Sequence, residues 1–316
     1  MTNPLASMPK QVTIVEVGPR DGLQNEAAPV STGDKVRFCD LLSDAGVPVL
    51  EATSFVSPKH VPQMADAGEV FRRIRKDPGR TYLVLVPNER GLDRAIEAGV
   101  RAIAVFTAAS EAFAKANIRM TIDESVAGFA GVVKRAKADG MWVRAAISTA
   151  FGCPFQGEVP VADVVRVSQK LLDLGVDELS VADTIGVGTP NQVYELVDAL
   201  RDLVPPEKLG LHFHDTRGTA LANTLAALSC GVRIFDTSAG GLGGCPFAPG
   251  ATGNCATEDL VYMLHGMGIQ TGIDLTKLRA ASRFIAERLG RPHASRAYTA
   301  LEAADARTSD LTATGS

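Results

Sequence analysis

The sequence predicts an α/β protein, a (β/α)8 TIM barrel with extra C-terminal helices. Short β-branched runs alternate with stretches of helical periodicity through most of its 316 residues. Repeated strand-then-helix units pair in parallel through right-handed crossovers, and eight of them in about 250 residues suit a closed barrel. No GxGxxG follows the first strand, which argues against an open dinucleotide-binding sheet.

Strands are read at 12–17, 48–53, 81–86, 101–106, 141–148, 177–181, 209–213 and 233–237. Helical periodicity lies between them at 33–45, 64–76, 89–98, 123–139, 160–174, 190–203 and 218–230. Thr32, Asp123 and Thr189–Pro190 are the residues expected to start helices. Two more helices, at 256–267 and 274–289, follow the eighth strand. Residues 1–10 are expected to be disordered, 11–302 to form a single barrel domain with its C-terminal helices, and 303–316, poor in large apolar residues, to be a loose tail.

With 46% hydrophobic residues, the chain can bury a full core. A net charge of −4, four tyrosines and one tryptophan leave no basic stripe or stacking platform, so no nucleic-acid partner is indicated. No run of about 18 apolar residues is present, and none is expected to meet a membrane. Five cysteines without CxxC spacing suit a reducing compartment better than a disulfide framework or zinc site, so the cytoplasm is expected.

A barrel carries its active site at the C-terminal ends of its strands. Arg20 and Asp21 follow the first strand there, Glu51 ends the second, and Ser148 ends the fifth. Ser180 and Asp183 end the sixth, and His212 and His214 the seventh. After the eighth comes GGLGGCPFAPGATGNCATEDL at 240–260, whose first fourteen residues include six glycines and which carries Cys245 and Asn254.

Residues two apart on a strand share a face, so His212 and His214 both turn to the barrel axis. With Asp21 and Asn254 they make a mixed nitrogen and oxygen set that leaves positions open on an octahedral ion, and Mg2+ or Mn2+ fits. Such an ion beside Arg20 suits a substrate with a hydroxyl β to a carbonyl. Loss of the hydroxyl proton lets the alkoxide collapse with carbon–carbon cleavage. Arg20 would steady the departing enolate, and Cys245 is a candidate acid for its carbon.

The segments VEVGPRDGLQNE, EATSFVSPKHVPQM, ADTIGVGTP, HFHDT with ALANTL, and GGLGGCPFAPGATGNCATEDLVYML together resemble the 3-hydroxy-3-methylglutaryl-CoA lyase family. The resemblance spans about residues 11–290. It implies Asp21, His212, His214 and Asn254 as metal ligands, Arg20 as enolate stabiliser and Cys245 as loop acid or base. It further implies a supporting carboxylate in Glu51, a substrate contact in Asn117, and polar site residues in Ser180, Asp183 and Glu258. The implied reaction splits 3-hydroxy-3-methylglutaryl-CoA into acetyl-CoA and acetoacetate, with an acyl-CoA as the partner. A homodimer or higher homo-oligomer is expected.

Four positions depart from the family pattern. Ala146 stands where RGYVS-type members carry tyrosine, Arg217 stands in place of tyrosine in HDTYGQ, and Phe155 and Phe247 stand where CPY is common. Two readings follow. One is drift with an unchanged substrate. The other is a different 3-hydroxyacyl-CoA, with a bulkier group near Ala146 and a carboxylate near Arg217. A metal-dependent hydrolase on the same barrel, a condensing synthase and a non-catalytic binding barrel are the competing functions.

Overall fold

Successive side chains of a strand point to opposite faces, so each barrel strand feeds one set to the lumen and the other to the surrounding helices. The computed structural model describes residues 8–244 and 253–314. Among them, eight parallel strands close into a barrel in chain order. They are β1 (Thr13–Glu16), β2 (Val49–Ser54), β3 (Thr81–Leu85), β4 (Ala102–Ala108), β5 (Trp142–Ser148), β6 (Glu178–Asp183), β7 (Leu209–Phe213) and β8 (Ile234–Thr237). β8 pairs back onto β1, with Asp236 opposite Val15. Every strand lies within two residues of the run read from the sequence.

The connecting helices are α1 (Thr32–Asp44), α2 (Ala67–Arg73), α3 (Glu89–Glu97), α4 (Glu111–Ile118), α5 (Ile122–Ala138), α6 (Val161–Asp173), α7 (Pro190–Leu200) and α8 (Ala220–Ser229). α4 was not foreseen, because its eight residues make only about two turns, too short to show a period. A cap and a stop define it instead: Phe113 N donates to Ser110 Oγ at 3.2 Å, and Arg119 ends it at φ 59°. Two expected starts shift. Ser31, not Thr32, caps α1 through Asp34 N, and Thr121 with Glu124 forms a capping box on α5 ahead of Asp123. Thr189 and Pro190 open α7 as expected.

Outward residues such as Ile103, Val105, Val143, Ile147 and Val181 are sealed between sheet and helices. Each contributes about 1.5–3 kcal/mol through burial. Inside the barrel, Leu83, Leu85, Ala102 and Ala104 form one apolar group, and Val15, Val17 and Ile234 another.

Beyond the barrel run α9 (Thr257–Gly266), α10 (Leu275–Leu289) and α11 (Arg296–Thr314). α11 corrects the expectation of a loose tail from 303. Its attachment is ionic as well as apolar: Arg279 of α10 donates to Glu302 Oε1 at 2.6 Å and also pairs with Asp305. The first seven residues, the greater part of the segment expected to be disordered, lie outside the described residues.

Two carboxyls outside the barrel wall brace the chain where β8 gives way to α9. Glu16 faces outward from β1 and accepts from Gly18 N at 2.8 Å, Ala239 N at 2.9 Å and Thr257 Oγ1 at 2.6 Å. Glu258 accepts from Gly240 N at 2.9 Å and from the Ser282 hydroxyl. Burial raises each from 4.5 to about 7, against the hydrogen bonds that favour the charged form.

A raised folded pKa gives stability that is complete below the unfolded value and is lost as pH climbs through the folded one. Stability should therefore fall between pH 4.5 and about 7 as both groups ionise. Glu16→Gln cannot ionise, so its Tm should decline less than the wild type's over that window, by the equivalent of about 1–3 kcal/mol. Parallel thermal-melt profiles for the two proteins would show that Glu16 carries no such cost.

Candidate metal centre at the barrel mouth

The site begins with how β1 ends. Val17 O accepts from Arg20 N, Asp21 N and Gly22 N at 3.1, 2.8 and 3.1 Å, which winds Gly18–Gly22 into a single π-helical turn. That turn presents Arg20 and Asp21 side by side over the lumen. It needs glycine at 22, where a Cβ would come within 2.9 Å of Leu242 Cβ.

On β7, His212 and His214 share the inner face as the alternation requires. Asn254 is brought to them by backbone pairing: Asp215 N donates to Gly253 O at 3.0 Å and Cys255 N to Phe213 O at 2.9 Å. Ligand atoms of Asp21, His212 and His214 all lie within 4.8 Å of one another. Asn254 Nδ2 donates to Asp21 Oδ2 at 2.9 Å, so the amide joins the cluster.

Three observations fit this cluster to a divalent cation. Among the described residues, His214 Nδ1 and Asn254 Oδ1 are buried without a hydrogen-bond partner, each with a lone pair to give. His214 is held neutral: burial, and then the neighbouring His212, push it down to about 4. Asp21 is held ionised, because Arg20, both imidazoles and the Asn254 amide outweigh the burial that opposes its charge. Two imidazoles, a carboxylate and an amide oxygen form an intermediate donor set for such an ion.

Arg20 is fixed beside the cluster. Its Nη1 donates to Asp21 Oδ1 and its Nη2 to Glu51 Oε2, both at 2.7 Å. Burial disfavours the guanidinium charge, but Glu51 and Asp21 more than restore it. A rigid cation facing the lumen is the result, with the Glu51 carboxylate as one of its two partners.

Beneath the cluster runs a network that the sequence reading missed. Asp236 of β8 takes a two-point contact from Arg144 of β5, at 2.6 and 3.1 Å, and lies 3.3 Å from His212 Nδ1. Ser180 Oγ donates to the same carboxylate at 3.2 Å, and Arg144 Nε reaches Glu178 at 2.7 Å. Asp236 occupies an inward position of a strand already recognised, so the alternation that found the histidines could have found it. Burial opposes its charge, yet Arg144 and His212 hold its carboxyl down at about 2. With Nδ1 engaged, His212 keeps Nε2 for a metal.

The remaining site candidates divide. Ala146 and Ser148 line the inner face of β5, half-buried, in register with Phe106 and Ala108 of β4. Asp183 pairs in register with Phe213, so it falls on the outer face, and its carboxylate accepts from Val187 N at 2.9 Å and Gly188 N at 2.8 Å. It braces the loop after β6 instead of entering the cluster. Glu258 likewise anchors backbone, as described above. Asn117 is exposed on the last turn of α4. Arg217 is exposed and donates to Ile185 O at 3.1 Å and Gly186 O at 2.9 Å, which ties the loop after β7 to the loop after β6. Cys245 and Phe247 lie outside the described residues. Cys255, next to Asn254, is buried and its thiol is pushed well above the usual range by that burial, so it fills space. Phe155 is 51% exposed, in tilted ring contact with Phe113.

A cleft of about 480 Å3 opens from Asn254 past Thr216, Arg217, Asp259 and Arg296. Barrel, cluster and cleft together define an enzyme with a set of candidate cation ligands beside a fixed guanidinium at its mouth. The chain belongs to the HMGL-like family, whose model matches residues 11–285. It is 52% identical over 295 residues to the mitochondrial hydroxymethylglutaryl-CoA lyase of Mus musculus, covering 93% of this chain and 91% of the relative. The crystal structure of hydroxymethylglutaryl-CoA lyase from Pseudomonas aeruginosa superposes with a TM-score of 0.92 at 49% identity, over 94% of this chain and 99% of that one. An HMG-CoA lyase from Acinetobacter baumannii, solved with coenzyme A and 3-methylmalate, gives 0.87 at 42% identity, over 94% and 95%.

If Asp236 orients His212, then Asp236→Asn should weaken Mn2+ binding by about 10–100-fold in an electron paramagnetic resonance titration. Ser180→Ala, which removes one partner of that carboxylate and leaves its contact with His212 in place, should weaken it less. Unchanged affinity in Asp236→Asn would mean that another group sets the imidazole.

Proposed function

We propose that this protein is a carbon–carbon lyase that cleaves 3-hydroxy-3-methylglutaryl-CoA to acetyl-CoA and acetoacetate, with Mg2+ or Mn2+ at Asp21, His212, His214 and Asn254. The observation that carries this reading is the Asp21, His212 and His214 cluster beside Arg20, on a chain about half identical to lyases of that name.

The bound cation would acidify the substrate's 3-hydroxyl. When that proton leaves, the oxygen becomes a ketone, the C2–C3 bond breaks, and its electron pair passes to the thioester fragment as an enolate. Arg20 is placed to receive the enolate oxygen, and Glu51 and Asp21 keep its guanidinium from swinging away. Because these partners are already in place, little reorganisation is needed as charge develops. The enolate carbon then takes a proton, a role we assign to Cys245 from the sequence alone.

The cleft past Asn254 offers the anionic arm of coenzyme A two guanidinium groups, Arg217 and Arg296. Among the described residues Cys39, Cys153, Cys230 and Cys255 are free thiols, which supports a reducing, cytoplasmic setting. No helix among the described residues is long and apolar enough to cross a membrane. The expected homodimer also stays within this proposal; Tyr262 of α9 is 60% exposed, and light scattering on the purified protein decides the assembly.

A coupled assay should show acetyl-CoA and acetoacetate released in equal amounts from 3-hydroxy-3-methylglutaryl-CoA, with activity lost on chelation and restored by Mg2+ or Mn2+. Arg20→Gln should lower kcat by about 10²–10³-fold. Release of free coenzyme A without acetoacetate would identify a thioester hydrolase and sink the lyase reading.

A further inference from the structure

The lumen is chemically two-sided. Polar groups come from β1, β2 and β6 to β8: Arg20, Glu51, Ser180, His212 and Asp236. Across from them, Leu83, Leu85, Ala102 and Ala104 of β3 and β4 pack together with Val56 and Phe106 into one apolar wall. β5 joins the two sides. Its Arg144 belongs to the polar network, while Ala146, two residues further toward the mouth, sits in register between Phe106 and Ser180.

Ala146 and Phe106 are both half-buried, although strands hem them in on either side. An inward residue on a barrel strand that stays partly open borders unfilled space, because the side chains of a small barrel normally fill its interior. Alanine reaches too short a distance to fill that space. A substrate whose hydroxyl and carbonyl lie against Arg20 and the histidines turns its remaining apolar substituent toward this wall.

We propose that Val56, Leu85, Phe106 and Ala146 form an acyl-substituent subsite that accepts 3-hydroxy-3-alkylglutaryl-CoA thioesters with C3 chains longer than methyl, and that Ala146 sets the permitted length. This rests on the lyase reading for the chemistry but not for the binding. Each further methylene placed against the wall leaves water, which favours the longer chain until the space is full. A larger side chain at 146 reverses that order by occupying the same volume.

The test separates binding from cleavage. 3-Methylglutaryl-CoA and 3-butylglutaryl-CoA lack the hydroxyl and cannot be cleaved, so their affinities are read by calorimetry on the metal-free protein. The butyl compound should bind at least about tenfold more tightly than the methyl compound, and Ala146→Leu should move that ratio at least about tenfold toward methyl. Ala146→Val, a milder filling by a good strand former, should give an intermediate shift and serves where the leucine variant does not fold. A wild-type preference for methyl, or a ratio unmoved by either variant, overturns the proposal. Turnover of the 3-hydroxy-3-methyl and 3-butyl-3-hydroxy compounds with Mg2+ is then compared. Cleavage of both within about tenfold supports the subsite, and cleavage of the methyl compound alone overturns it. Failure to cleave either, with the binding order intact, removes the lyase reading and leaves the wall as a binding subsite.

Discussion

Arg144 and Asp236 form an ion pair inside the barrel, where each side chain is almost wholly cut off from water. Neither charge is tolerable there alone, because moving it from water costs several kcal/mol that a single neutral neighbour cannot return. The structure meets that cost by multiplying partners. Arg144 spans from Asp236 to Glu178, and Asp236 is shared by Arg144, Ser180 and His212. Four strands, β5 to β8, are thereby held to one relative placement. A wholly apolar interior of the same volume would be as stable, but it would leave His212 Nδ1 without an acceptor. The polar centre is what gives His212 Nδ1 its partner.

The same logic of shared carboxylates organises the outer side of the mouth. Glu16 stands between two segments that must meet: Gly18 opens the turn carrying Arg20 and Asp21, while Ala239 and Thr257 flank the segment carrying Asn254. Its three hydrogen bonds set the spacing of ligands more than 200 residues apart in sequence, as the Asp21 to Asn254 separation of 233 shows. Glu51 does for Arg20 what Asp236 does for His212. Arg20, just after β1, and His212, on β7, are thus each backed by a carboxylate on another strand. Such backing keeps a guanidinium or imidazole within the narrow geometry that catalysis requires.

How much of this was legible follows from what each signal encodes. Strand periodicity reports which face a residue takes, so the barrel and the shared inner face of His212 and His214 could be read from spacing. Asp183 shows the limit of that reading. It was placed in the site because it ends β6, yet it is one residue from Ala182 on the opposite face, and its partners are backbone amides of its own loop. Glu258 entered through the resemblance, which carries no information on which way it faces; its carboxylate lies in the packing between α9 and α10. α4 and α11 went unread because caps and ion pairs define them more than an apolar stripe does. Asp236 was missed although its signal was present. A lone aspartate in a buried strand has no motif, and only its partners show why it is there.

The two principal departures from the family pattern separate on this ground. Arg217 donates from Nη1 to the carbonyls of Ile185 and Gly186, and so joins two loops. A tyrosine has one O–H donor where Nη1 supplies two N–H groups, and the change at 217 is therefore first a change in how the loops are clasped. It stays exposed along the cleft and can meet an anionic arm there, but it does not reach the inner faces of β4 and β5. Ala146 is bonded to nothing except the sheet and faces the lumen directly. A phenol at that position would stand over Ser180, beside the network that holds His212. The departure at 146, not the one at 217, therefore falls on the inner face of the barrel, between Phe106 and Ser180.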